Sequence, residues 1–428
     1  MNILAAQKST SSEALTEFQT IAVIGLGYVG LPAAAMFARA GARVIGVDVD
    51  QHVVAALNAG NTTIVEPGLA ELVREQVSTG RLTGATEPPP ADAFVIAVPT
   101  PFQQDGAHSP DISYVEAAVR RLATVLQPGN LVILESTSPV GTTQHVIEVI
   151  RSVRPDLELL GVNGEGDIDI AYSPERVIPG RTMVEITSNA RVIGGVTPRA
   201  TQRASRLYRM FVQGECLLTN DRTAEMVKLT ENTFRDVNIA LANELSLICD
   251  RFGIDVWEVI SLANRHPRVS ILSPGPGVGG HCISIDPWFI VSQAPDLARL
   301  IRTAREVNDA KPAFVVRKVQ EAMLERPNSR IACLGLTYKP DIDDFRESPA
   351  LHIALSLSAS WIGRVVAADP YATLLPQRDS RGDALIIKPL DEAIDTSDII
   401  VPLVGHQEYQ RIQVPKNKII VDTIGLWC

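Results

Sequence analysis

Apolar and polar positions along this chain fall in blocks whose period switches between about 2 and about 3.6, the mark of strands followed by amphipathic helices. IAVIGLG (21–27) reads as a strand, GLPAAAMFARAG as a helix and RVIGVDVD (43–50) as a second strand. AFVIAVP (93–99), LVILEST (131–137) and IDIAYSP (168–174) read as further strands, with helical stretches such as ISYVEAAVRRLATVL between them. Such alternation predicts a parallel sheet covered on both faces. From about Asn220 to Phe252 the chain keeps helical periodicity without Gly or Pro, starting at Asp221 and stopping before Gly253. Roughly 30 residues at 1.5 Å rise make a rod on the order of 45 Å, which suits a connector whose apolar face pairs with a second subunit. The alternation then restarts, with RIACLGL (330–336), RVVAADP, DIIVPLV and KIIVDT as strands and ALHIALSLSAS as a helix.

The expected fold class is α/β, with two Rossmann-like doubly wound parallel-sheet domains joined by a long central helix. The expected divisions are a flexible tail over 1–19, a dinucleotide-binding domain over 20–212, a helical connector and dimerisation domain with a cysteine loop over 213–315, and a second Rossmann-like domain over 316–428.

Composition narrows the classes of function. The chain has 428 residues, 46% hydrophobic and 21% charged, which is material for more than one core. A net charge of −10 argues against a nucleic-acid or membrane-surface role, so an anionic ligand needs local basic residues. No apolar run reaches the roughly 20 residues of a membrane span. Five scattered cysteines, an odd number, read as reduced thiols of a cytoplasmic protein. Cys216, Cys249 and Cys333 sit in apolar runs and read as packing residues, whereas Cys282 follows GVGGH.

Gly25, Gly27 and Gly30 form G-x-G-x-x-G where the first strand enters its helix. The glycines permit the tight turn, the approach of a pyrophosphate and the packing of helix on strand, and the helix N-terminus offers its N–H groups to phosphate. Asp48 ends the second strand about 20 residues on, where an acid binds the adenosine ribose hydroxyls and repels a 2′-phosphate, favouring NAD over NADP. A structural turn without ligand is the competing reading, and the motif says nothing about substrate. PGPGVGGHCISIDPWFI (274–290) is a stiff glycine–proline loop leading through His281 and Cys282 to a short helix, a setting that exposes a thiol near N–H donors. A buried cysteine after a structural turn fits the composition as well. Lys228, Asn232 and Arg235 share one helix face. Spacing alone also fits a solvated face, although flanking Met226, Val227 and Phe234 suggest enclosure.

These residues resemble a known family. VIGLGYVGLP, VPTPF, ESTSPVGTT, YSPERVIPG, AEMVKLTENTFRDVNIALANE, the GGHC loop with Asp286, and GLTYKPDIDDFRESPA are similar, in order, to motifs of the nucleotide-sugar 6-dehydrogenases, the group of UDP-glucose and GDP-mannose dehydrogenases. The resemblance implies oxidation of a UDP-sugar at C6 with NAD, through a homodimer. Cys282 would be the nucleophile. Lys228 and Asn232 would bind the oxyanion and orient the sugar, Glu175 would handle the hydrolytic water, and Asp286 and Thr137 would support water and thiol. Tyr28, Val29, Asp48, Thr100, Thr137 and Arg346 would contact NAD with the glycines. Arg176, Val177, Arg235, His266, Arg268, Gly279 and Lys339 would line the substrate site, Arg268 reaching across a dimer.

Pro179 and Ile285 stand where the UDP-glucose enzymes carry a glutamate and a lysine, which fits the acetamido-sugar branch, and within it the resemblance of HPRVSILSPGPGVGGHCISIDPWFI (266–290) implies UDP-N-acetyl-D-mannosamine as substrate. UDP-N-acetylglucosamine and UDP-glucose are the alternatives. Ile424 stands where relatives often have a basic residue, so the resemblance does not carry a diphosphate contact over to that loop. A one-hydride 3-hydroxyacid reductase would have no use for Cys282, and a dinucleotide-sensing scaffold would need a partner-binding element that the sequence lacks.

Overall fold

The computed structural model describes residues 14–103, 108–160, 166–178, 180–280, 282–375, 385–413 and 415–427. The chain divides into two compact units that meet in sequence at Thr230 and Glu231, inside the helix Asp221–Phe252.

In the first unit, period-2 alternation builds a two-faced sheet. Strands β1 (Thr20–Ile24), β2 (Arg43–Val47), β3 (Leu82–Ala85), β4 (Ala93–Ile96), β5 (Leu131–Leu134), β6 (Asp169–Tyr172), β7 (Arg191–Gly195) and β8 (Cys216–Asn220) lie in the order β3-β2-β1-β4-β5-β6-β7-β8. Ile21 and Val23 of β1 enter one apolar cluster with Phe37 and Tyr208, while Ala22 and Ile24 enter another with Val119 and Ile147. Both faces are therefore dry, and each fully buried aliphatic side chain contributes about 1.5–3 kcal/mol. The first six strands are parallel, with the order reversing between β1 and β4, which opens a crevice at their carboxyl ends.

Three features depart from the sequence expectation. The pair β6–β7 is antiparallel, Ala171 facing Gly195, and β8 extends the sheet beyond the expected boundary at 212. The expected frayed tail does not hold for its last residues. Ala14 and Phe18 are fully buried, and Glu17 accepts from Arg203 at 2.6 Å and Arg206 at 2.8 Å. An apolar pair four apart with an acid between was enough to dock this segment.

In the second unit, β9 (Ile331–Leu334), β10 (Val365–Ala368), β11 (Ile386–Ile387), β12 (Ile399–Pro402) and β13 (Ile419–Ile420) form a parallel sheet ordered β11-β10-β9-β12-β13. Its core is again split by alternation, Ile331 and Cys333 on one face, Ala332 and Leu334 on the other. The helix Arg299–Glu325 runs through Pro312 and through the boundary expected at 315. Buried Asn308 and Arg305 tie it to Asp236 of the long helix, at 2.8 and 2.6 Å. Among the described residues no helix is long and apolar enough to cross a membrane.

The start of the long helix is fixed by Glu225. Its buried carboxylate accepts from the Gly141 N–H at 2.6 Å, the Thr143 N–H at 2.7 Å and the Thr143 hydroxyl at 2.6 Å, at the N-terminus of helix Thr142–Val153. Burial pushes this carboxyl above its ordinary range, and the hydrogen bonds pull it back. Glu225→Ala leaves those donors buried and unsatisfied, and is expected to cost about 2–4 kcal/mol in urea denaturation. A change below about 0.5 kcal/mol would mean that the contact does not hold the helix.

Candidate active site

The glycine turn sits at the switch point of the first sheet, and its three glycines have three different reasons. Gly25 has φ +93° and a Cβ there would lie 2.5 Å from the Ala97 carbonyl oxygen. At Gly30 it would lie 1.9 Å from the Gly25 carbonyl oxygen, whereas at Gly27 it would meet nothing within 4 Å. The turn therefore leaves open space in front of helix Gly30–Arg39, whose N-cap Val29 supplies no side-chain acceptor. Tyr28 and Val29 flank that space, both half-buried. Asp48 at the end of β2 accepts from the Leu26 N–H at 2.9 Å and the Asp50 N–H at 3.0 Å, which holds its carboxylate beside the turn. Across the crevice the Thr100 hydroxyl donates to the Thr137 carbonyl at 2.7 Å, joining the two segments that follow β4 and β5. These residues fit a dinucleotide: open backbone for pyrophosphate, a helix N-terminus behind it, an acid for the ribose.

Glu175 follows β6 in the same unit, buried, with Oε1 accepting from the Arg176 N–H at 2.7 Å and Oε2 from Arg191 Nη1 at 3.0 Å. Lys228 reaches the same segment, its Nζ donating to the Glu175 carbonyl at 2.8 Å. The structure thus brings Lys228 and Glu175 together. Arg176 spends Nη1 on the Ala190 carbonyl, 2.7 Å away, and Val177 beside it is half-buried. Buried Glu66, which the sequence reading missed, pins the loop beyond by accepting from the N–H groups of Gly180 at 2.9 Å and Thr182 at 2.7 Å. Pro179 lies outside the described residues.

In the second unit Cys282 lies on the turn that enters helix Asp286–Gln293, and its carbonyl accepts from the N–H groups of Ile285 and Asp286. Cys282 is exposed, while Cys216, Cys249 and Cys333 are buried. Burial raises the Cys216 thiol and pushes the Cys333 thiol up to about 12, so both stay protonated at neutral pH. Asp286 is buried, and its Oδ2 accepts from Asn232 Nδ2 at 2.5 Å. This unit therefore brings together Cys282, Asp286 and Asn232. His281 lies outside the described residues.

The loop before the cysteine is packed on protein. A Cβ at Gly277 would lie 2.8 Å from Pro349, at Gly279 2.5 Å from the Glu347 carbonyl oxygen, and at Gly280 2.8 Å from the Tyr338 ring. Beside it, a cleft of about 470 Å³ is lined by Ser273, Pro276, Thr337, Tyr338, Val404 and Ile424 among others. It opens where the segments after β9 and β12 diverge, the switch point of the second sheet. Ile424 gives this wall an apolar side chain.

Other expected residues have the following surroundings. Arg235, His266 and Arg268 are exposed, the last two in a loop closed by Asn264 and Ile271. Arg346 pairs with Asp344 at 2.6 Å, and Lys339 is half-buried in the loop after β9. The expected enclosure of the long helix fails at Met226 and Phe234, which are 41% and 66% exposed because no described residue covers them.

Two Rossmann sheets, a glycine turn with its acid, and a thiol-bearing loop define a dinucleotide-dependent dehydrogenase. The chain belongs to the UDP-glucose/GDP-mannose dehydrogenase family: residues 19–212 match its NAD binding domain, 222–310 its central domain and 332–427 its UDP binding domain. It is an NAD-dependent nucleotide-sugar dehydrogenase. It is 54% identical to the UDP-N-acetyl-D-mannosamine dehydrogenase of Escherichia coli (strain K12), over 96% of this chain and 99% of that one. It is 52% identical to an NDP-N-acetyl-D-galactosaminuronic acid dehydrogenase of Ralstonia nicotianae, over 96% and 97%. Among solved structures, a UDP-D-ManNAc dehydrogenase from Pyrococcus horikoshii superposes with a TM-score of 0.84 at 39% identity, covering 95% of this chain and 96% of that one.

The two glycines of the turn separate binding from folding. Gly27→Ala is expected to stay within about 0.5 kcal/mol of wild type in a melt while NADH affinity, read by fluorescence titration, falls at least about tenfold. Gly30→Ala forces a Cβ onto backbone and should lose about 1–3 kcal/mol of stability. Equal stability of the two variants would contradict this division.

Proposed function

We propose that this enzyme oxidises UDP-N-acetyl-D-mannosamine at C6 to UDP-N-acetyl-D-mannosaminuronate, a four-electron oxidation that supplies an acidic sugar for bacterial surface polysaccharide, in the cytoplasm. The observation that carries it is the one exposed thiol among the described residues, set on the turn before buried Asp286, which pairs with Asn232. Identity of 54% to a dehydrogenase named for that substrate supports the choice of sugar.

Gly25, Gly27, Tyr28, Val29, Gly30, Asp48, Thr100, Thr137 and Arg346 would hold NAD, which would supply the hydride acceptor for both oxidations. Lys228 stabilises the negative charge that develops on the C6 oxygen; such a donor is typically worth about 3–4 kcal/mol of barrier. Asn232 orients the sugar, with Asp286 fixing its amide. Cys282 adds to the C6 aldehyde to give a thiohemiacetal, which retains the aldehyde and presents a second C–H for oxidation to the thioester. Glu175 takes a proton from the water that releases the acid, help worth on the order of 10²–10⁴ in rate. Arg176, Val177, Arg235, His266, Gly279 and Lys339 line the UDP-sugar site, and the nucleotide occupies the cleft beside Ile424.

A homodimer completes the picture. Phe234, Leu241, Ile248 and Phe252 are 66%, 47%, 44% and 67% exposed and recur on one face of the long helix, a stripe that a second copy would cover. Arg268 then reaches the partner's substrate. Leu241→Glu with Ile248→Glu is expected to halve the mass seen by light scattering; an unchanged mass would remove this face from the interface.

Cys282→Ser should abolish acid formation while NADH binding persists, and wild type should yield two NADH per sugar. Normal turnover in the variant, or a ratio of one, would end the covalent account. The name of the Ralstonia relative favours a second reading, the galactosamine-configured sugar. NADH production from UDP-N-acetylmannosamine, its glucosamine and galactosamine epimers and UDP-glucose decides among them, with the first expected to be fastest.

A further inference from the structure

The proposed hydrolysis uses Glu175, yet Glu175 sits on a buried cluster larger than a general base requires. Arg191 is 4% exposed and forks between two carboxylates, Nη1 donating to Glu175 Oε2 at 3.0 Å and Nη2 to Glu135 Oε1. Its Nε donates to Ser173 Oγ at 2.9 Å, and its guanidinium lies 3.8 Å from the centre of the Tyr208 ring. Glu135 is fully enclosed at its side chain, and neither its Oε2 nor the Tyr208 hydroxyl has a hydrogen-bond partner among the described residues. The groups facing Glu135 are Arg191 from β7, Glu175 from the segment after β6 and Tyr208 from helix Pro198–Tyr208. Two carboxylates against one guanidinium leave an excess negative charge in a low-dielectric place, which one bound proton removes.

We propose that Glu135 is a positioning residue for the hydrolytic step, acting on Glu175 through the shared Arg191 fork. When Glu135 holds a proton, the guanidinium belongs to Glu175 alone and pins its carboxylate. When Glu135 is ionised it draws the guanidinium toward itself, and Glu175 is released to accept a proton from water. The inference rests on Glu175 being the residue that handles that water. Burial, reinforced by Glu175 and opposed by Arg191, pushes the Glu135 carboxyl up to about 7, so the switch falls near neutral pH. Burial also raises the Tyr208 phenol, which stays neutral throughout.

The test is decay of the Cys282 thioester, followed by quenching single turnovers with NAD and UDP-N-acetylmannosamine and weighing the intact protein between pH 6 and pH 8.5. Wild-type decay is expected to accelerate about tenfold with a midpoint near 7, a modest share of what a general base supplies. Glu135→Gln should hold the slow acid-side rate at every pH, and Glu135→Asp should restore an inflection at a shifted midpoint. A flat wild-type profile overturns the proposal without any variant, as does a wild-type inflection in Glu135→Gln. Should the glutamine variant fail to fold, the wild-type and aspartate profiles decide. Glu175→Gln separates the two levels: wild-type decay there sinks the reading of Glu175 itself, and this inference with it. A stalled Glu175→Gln beside an unaltered Glu135→Gln sinks only the role of Glu135.

Discussion

The carboxylate of Glu225, buried against the start of helix Thr142–Val153, accepts two backbone N–H groups and a hydroxyl that have no local acceptor. Gly141, at φ +99°, shapes the turn but carries no side chain to cap it. A negative group from elsewhere in the chain therefore completes the helix terminus, where partial positive charge makes it most favourable. That contact fixes the first turns of the long helix on the nucleotide unit. Lys228 follows one turn later on a backbone that can no longer rotate, and its ammonium meets the Glu175 carbonyl. Gln144 adds a second tie, donating to Asp221 at 2.7 Å. The placing of the ammonium thus depends on a carboxylate that never touches substrate.

Local signals were legible where one stretch of chain decides its own structure. The first strand, its glycine turn and the following helix needed only alternation, three glycines and a helical period, and the long helix needed only an uninterrupted period between Asp221 and Gly253. Strands β7 and β8 were not legible. RVIGG has two glycines, present because a Cβ at Gly194 would meet the Asn220 carbonyl oxygen at 2.1 Å, and glycine lowers the strand signal. In β8, Leu217 and Leu218 are both half-exposed, so alternation is absent. Pro312 hid the helix Arg299–Glu325, since a proline inside a helical pattern reads as its end. The candidate site divided in the same way. Cys282, Lys228 and Asp48 announce themselves by motif, whereas Glu66, Glu135, Arg191 and Glu225 matter through partners dozens of residues away.

The acidic balance of the chain hides how its arginines are spent. Arg191 is enclosed with Glu135 and Glu175, Arg305 with Asp236 and Asp309, and Arg203 with Glu17 and Asp169. Burying such pairs is seldom a net gain in stability, because desolvation offsets attraction, but losing one partner leaves an unpaired charge and is costly. Their effect is to fix geometry: the Arg203 fork docks the N-terminal segment, the Arg305 fork joins two long helices, and the Arg191 fork carries the site's carboxylate. Exposed Arg235 and Arg268 are cations that remain available for an anionic ligand.

Among the described residues Cys282 is the exposed cysteine, and its main chain is held. Gly277, Gly279 and Gly280 lie against Pro349, Glu347 and Tyr338, where any side chain would collide with protein. The loop is stiff because it is packed. At its end the Cys282 carbonyl takes two N–H groups, and Asp286 is locked to Asn232 within the next turn, so the main chain is held while the side chain points out of the core. Cys216, Cys249 and Cys333 are buried and have no open face. Exposure at sulfur among the described cysteines thus goes with the one that follows a tightly packed turn.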